Sequence, residues 1–157
     1  MTRVRDRFGF GLPALVGLAA LAAPRVVLHD LDMIQEGTFV NGLFVFVPPV
    51  CWIAAVLWRR PPRPFLTLLV VGAIYAMFLA AGHQLLWARA LDGATPTLGG
   101  NLADLDSAVQ ELLLRAAAVV SSLATGVLVG VLTGAVAVLL CRVVPDHRTD
   151  PSLPPGG

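Results

Sequence analysis

His29, Asp30 and Asp32 stand together in one short stretch, "RVVLHDLDMIQEG", that also holds Arg25 and Glu36; His83 and Gln84 form the next concentration of reactive side chains. Imidazoles and carboxylates that meet in space make a donor set for Zn²⁺ or another divalent cation. Two histidines alone can serve as axial ligands to a haem. Arg25 is a fixed positive charge suited to an anionic substrate. None of these residues has a diagnostic spacing such as HExxH. The ordinary account therefore stands beside the reactive one. In it His83 hydrogen-bonds a neighbouring helix, His29 sits in water, and Arg25 pairs with Asp30 or Glu36 or snorkels to headgroups.

What must position these residues is overwhelmingly apolar. Only 13% of the 157 residues are charged and 57% are hydrophobic, where a soluble domain carries about 25% charge. Mean hydropathy is +0.79. Four uninterrupted apolar runs are read as membrane-spanning helices: Phe8 to Leu28, Phe39 to Trp58, Phe65 to Trp87, and Ala116 to Leu140. Each is near the ~20 residues needed to cross a ~30 Å hydrocarbon layer. In lipid a backbone must satisfy its own hydrogen bonds, which selects helix over open strand. The fold expected is an all-α four-helix transmembrane bundle, up-down-up-down, occupying residues 1–142. A disordered cytoplasmic tail is expected over 143–157, where Pro, Gly and polar residues dominate.

Orientation follows the arginines, since the chain has no lysine. Arg3, Arg5 and Arg7 precede span one; Arg59, Arg60 and Arg63 fill the turn after span two; Arg142 and Arg148 follow span four. The opposite side holds Arg25, Arg89 and Arg115 together with seven of the ten acids. By the positive-inside rule both termini are cytoplasmic and the acidic side is external. The expected location is the cell (inner) membrane of a bacterium. In an alternative reading the first span is a signal peptide cleaved after Ala20-Leu21-Ala22. The third connection should begin with turn residues and become an amphipathic helix capped by Asn101, with Asp104 in its first turn, either a stalk from which span four begins above the membrane or a short helix lying along the outer surface.

Burying apolar area gives no force between helices in lipid, so contacts must come from small residues and polar links. Ser122, Gly126, Gly130 and Gly134 recur every fourth residue in span four, and Gly72, Ala76 and Ala80 do so in span three. The four-residue period makes each set one face of a helix. It suits packing within the bundle or, alternatively, a homodimer seam. Pro48 and Pro49 lie halfway along span two, where a kink is expected, and such a break can line a cavity. Tyr75, Asn41, Ser121, Ser122 and Thr125 are read as hydrogen-bonding links between helices.

No catalytic residues are assigned, because nucleotide loops, nucleophile elbows and CxxC pairs are all missing. A net charge of +1 offers nothing to nucleic acid. The leading expectation is a non-catalytic subunit, scaffold or assembly factor that acts through helix contacts. Its partners are the lipid bilayer and either a second copy or another membrane protein, and no cofactor is predicted. The alternative is an external metal-, haem- or small-ligand-binding protein, a transporter or an enzyme, using His83 and Gln84 with His29 and Asp30.

Overall fold

The computed structural model describes residues 2–90 and 97–144, and among these every regular element is helical. Four segments are long and apolar enough to cross a membrane: Leu12–Asp30, Phe39–Arg59, Pro64–Leu85 and Ser107–Val143, of 19, 21, 22 and 37 residues. Residues 91–96, with Asp92, and residues 145–157, most of the expected tail, lie outside the described residues.

The first span differs from the expected continuous run. A short helix, α1 (Thr2–Phe8), ends at Gly9, and the span proper is broken into α2 (Leu12–Ala20) and α3 (Ala23–Asp30). Gly9 has φ +69°, and a Cβ there would lie 2.7 Å from Pro61 Cβ, so both conformation and space call for glycine. The break between α2 and α3 has its cause in Pro24. Its nitrogen carries no hydrogen, so the Ala20 carbonyl loses its helical partner. The chain tightens there: Leu21 N–H donates to Leu18 O and Ala22 N–H to Ala19 O, both at 3.2 Å.

The same break is pinned from the next helix. In α4 (Phe39–Arg59) the fully buried Trp52 donates its indole N–H to Leu18 O at 2.7 Å. Its ring meets Tyr75 edge-on, with centroids 5.9 Å apart. Trp52→Phe keeps most of the ring and deletes the donor. It is expected to cost about 1–2 kcal/mol, read as a lower unfolding midpoint in detergent without loss of helix content.

The tightest packing is between α5 (Pro64–Leu85) and α7 (Ser107–Val143). A Cβ built on Gly72 would lie 2.5 Å from Gly126 O and 2.6 Å from Gly130 Cα. One on Gly126 would lie 2.6 Å from Ala76 Cα, and one on Gly134 3.1 Å from Phe65 O. Ser122, Gly126, Gly130 and Gly134 are all buried, while Ala80 is half-buried. The small-residue face of α7 is thus in backbone contact with α5 of the same chain. Among the described residues the Ser122 hydroxyl makes no link to another helix; it donates to Ala118 O at 2.7 Å, one turn back.

Each end of the bundle is closed by an arginine. At one end Arg60, in the left-handed region at φ +49°, donates to Cys141 O at 2.8 Å and to Val144 O. It thereby serves carbonyls that the end of α7 leaves without helical donors. Arg59 covers the Phe10 ring at 5.7 Å beside it. At the other end Arg115 donates to Glu111 at 2.8 Å and lies 4.9 Å over the Trp87 ring. Gln84 donates to Arg115 O at 3.2 Å and accepts from its guanidinium at 3.3 Å. That interchange joins α5, the short helix α6 (Trp87–Ala90) and α7.

Of the two expected forms of the third connection the stalk is found, since the amphipathic segment and span four are one continuous helix. The expected start is corrected: the helix begins at Ser107 and is capped by Asp106, whose carboxylate accepts from Ala108 N–H at 2.9 Å. Asn101 instead sits in a 3₁₀ turn, Gly100–Leu102, and Asp104 precedes the helix. The loop is tied down by the buried Gln110, which accepts from Leu98 N–H at 2.6 Å and donates to Ala103 O and Leu105 O. Those bonds satisfy backbone groups that would otherwise compete for the start of α7.

Candidate functional site

The stretch from Arg25 to Gly37 comes down over the end of α5. Asp30, at the last turn of α3, is buried, and one of its oxygens accepts from His83 Nδ1–H at 2.8 Å. A carboxylate can only accept here, so this bond fixes the tautomer of a neutral His83 and leaves Nε2 as an acceptor. The other oxygen of Asp30 is 3.7 Å from His29 Nδ1, and His29 Nε2 is 3.6 Å from Glu36. The four side chains run as a row, His83, Asp30, His29, Glu36. Asp32 stands apart, on a left-handed turn at φ +54°. Among the described residues no three His, Cys, Asp or Glu side chains are grouped to hold a metal ion.

Arg25 does not pair with Asp30 or Glu36, which corrects the simplest sequence expectation. Its Nε donates to Asn41 Oδ1 of α4 at 3.1 Å. The reason is the break at Leu21 and Ala22, which resets α3 so that Arg25 faces α4. Asp30, five residues on, is turned to α5. Gln84, expected to act with His83, is instead engaged with Arg115. Adjacent helical residues are about 100° apart, so the pair was bound to separate.

Beneath Asp30 and His83 lies an open cavity of about 360 Å³. Arg25 and Asp30 form one wall, His83, Leu79 and Trp87 a second, and Ala118, Ser121, Ser122 and Thr125 of α7 a third. A smaller cavity of about 140 Å³ continues it toward the middle of the bundle, sharing Arg25 and Thr125. Its lining includes Val45, Pro49, Trp52 and Tyr75. The mid-helix prolines are therefore where a hollow exists: on their other side Pro48 lines an apolar groove of about 190 Å³ with Leu21 and Cys51.

Ser121 and Thr125, expected as helix links, and Trp87, expected as the end of span three, all line this cavity. The signal was present, because Ala118, Ser121, Ser122 and Thr125 share a helical face whose hydroxyls stand in the otherwise apolar stretch 116–132 of α7. Gln110 and the Asn41 partnership of Arg25 carried no such signal, since both depend on turns whose geometry spacing alone does not fix. No family model, curated protein or solved structure matches the chain.

Proposed function

We propose that this is a multi-pass protein of the cell membrane that receives a small ligand in the cavity under Asp30 and His83. In this reading the spans run up-down-up-down. The end carrying Arg59, Arg60 and Arg142 faces the cytoplasm, as the arginine bias favours. The cavity end then faces out. The observation that carries the proposal is Arg25: a charged side chain in the outer half of a span, lining a hollow with hydroxyls opposite it. Ionisable groups at such depth are costly and mark ligand or ion sites by default. A concave, partly apolar pocket with a few convergent polar groups is the general form of a small-molecule site.

The subunit or assembly-factor reading rested on the glycine face of α7, and that face is filled by α5 of the same chain. What it retains is the exposed side of α4, with Phe39, Phe46 and Val50. Lipid covers such a surface without any partner.

Water in the cavity is the test. With Cys51 and Cys141 replaced by alanine, Ser121→Cys should react in intact cells with a charged, membrane-impermeant thiosulfonate reagent. Val120→Cys, at nearly the same depth but 65% exposed on the outside of the bundle, should not, because a thiol in lipid does not ionise. Equal, negligible labelling at both positions would remove the proposal.

A further inference from the structure

The cavity wall carries a guanidinium that no carboxylate pairs with directly among the described residues. Arg25 bonds to the neutral Asn41 and faces the neutral Tyr75 hydroxyl. Among the described residues no carboxylate lies within ion-pairing distance of it. Asp30, the one acid in the wall, has a side chain only 5% exposed, and its oxygens face His83 and His29. Arg115, at the same end of the bundle, is paired with Glu111. A guanidinium inside a membrane span is normally compensated by a carboxylate or carried to the headgroups. Here it is held by Asn41 and lines both hollows.

We infer that the ligand of this cavity carries an oxyanion, a carboxylate or a phosphate, that binds the Arg25 guanidinium; the inference rests on the ligand-binding reading above. Engagement of Nε by Asn41 restrains the plane of the guanidinium, and its remaining donors, shared with the Tyr75 hydroxyl, are directed to an oxyanion. Hydroxyls of Ser121 and Thr125 face it across the hollow, and Leu79 with Trp87 gives a short apolar wall for the rest of the molecule. About 360 Å³ is at the small end of ligand pockets, so a compact acid fits and a large one does not. A cationic ligand is disfavoured because it would lie against the Arg25 guanidinium, while the Asp30 carboxylate is only 5% exposed. The same oxyanion chemistry can be brought by a soluble acid or by the headgroup of an anionic phospholipid entering at the open rim.

The test is thermal unfolding of the purified full chain in phosphatidylcholine nanodiscs, with butyrate, inorganic phosphate or choline added. Parallel discs contain phosphatidylglycerol. Saturation at about 100 times Kd should raise Tm by about 5 °C or more. A rise with butyrate or phosphate assigns a soluble anion, and a rise confined to phosphatidylglycerol discs assigns a headgroup. Either must vanish in Arg25→Gln and in Asn41→Asp. The second variant neutralises Arg25 in place with almost no change of shape, so its loss of response is not a folding defect. No rise with any anion, a rise that survives both variants, or a rise with choline alone would overturn the inference. If Ser121→Cys still labels in that case, only the anion assignment falls; if it does not, the cavity reading falls with it.

Discussion

Gly72→Val is expected to destabilise the protein by about 3 kcal/mol, the largest effect of any single substitution in the bundle interior considered above. The new side chain would begin 2.5 Å from Gly126 O and 2.6 Å from Gly130 Cα, and both are backbone atoms of α7. No rotamer change relieves contact with a backbone, so α5 and α7 must move apart along their whole seam. In lipid little opposes that separation, because close van der Waals contact is what holds two apolar helices together there. Gly42→Val in α4 is the control, since a Cβ at Gly42 meets nothing within 4 Å. It should stay within about 0.5 kcal/mol of the parent. Denaturation in mixed micelles measures both. Equal midpoints for the two variants would show that the seam does not hold the fold.

Asp30→Ala should cost about 2 kcal/mol, and it should do so only while His83 is present. The 2.8 Å bond between them joins the end of α3 to the end of α5. Asp30 is buried among groups placed to serve it. Removing the carboxylate leaves the His83 N–H without its acceptor; removing the imidazole leaves a buried carboxylate short of a donor. A double-mutant cycle separates this from independent packing losses. Asp30→Ala and His83→Ala together should cost little more than the worse single change, giving a coupling of about 1–2 kcal/mol. Simple additivity would mean that the bond is incidental and that other contacts fix the cavity rim.

The four long apolar segments were legible from the sequence because length and hydropathy alone set what lipid accepts. The contact faces of α5 and α7 were legible too, because glycine at a four-residue period has few other uses in an oily helix. The break in the first span was not read, although Pro24 was in plain sight. A proline near the middle of an apolar run is tolerated in membranes when local 3₁₀ bonds and neighbouring helices adjust to it. Here the tightened turn is braced by the indole of Trp52 on Leu18 O, a donor that comes from a different helix. The site shows the same division. His83, Asp30 and Arg25 stood out by type in an apolar chain. Their partners did not, because the turn at Leu21 and Ala22 rotates Arg25 toward Asn41 and away from the acids. The start of α7 was misplaced for a related reason: both Asn101 and Asp106 are good caps by type, and the bonds of Gln110 to the loop decide between them.

A protease site inserted between the exposed Gly99 and Gly100, in a chain tagged at both termini, puts the whole account to one measurement. Treated as intact cells, the protein should be cut into two membrane-retained fragments, each keeping its terminal tag, because the cavity end faces out and both termini face in. Loss of the tags with an uncut loop would invert the bundle, and chain recovered free of membranes after lysis would contradict it outright.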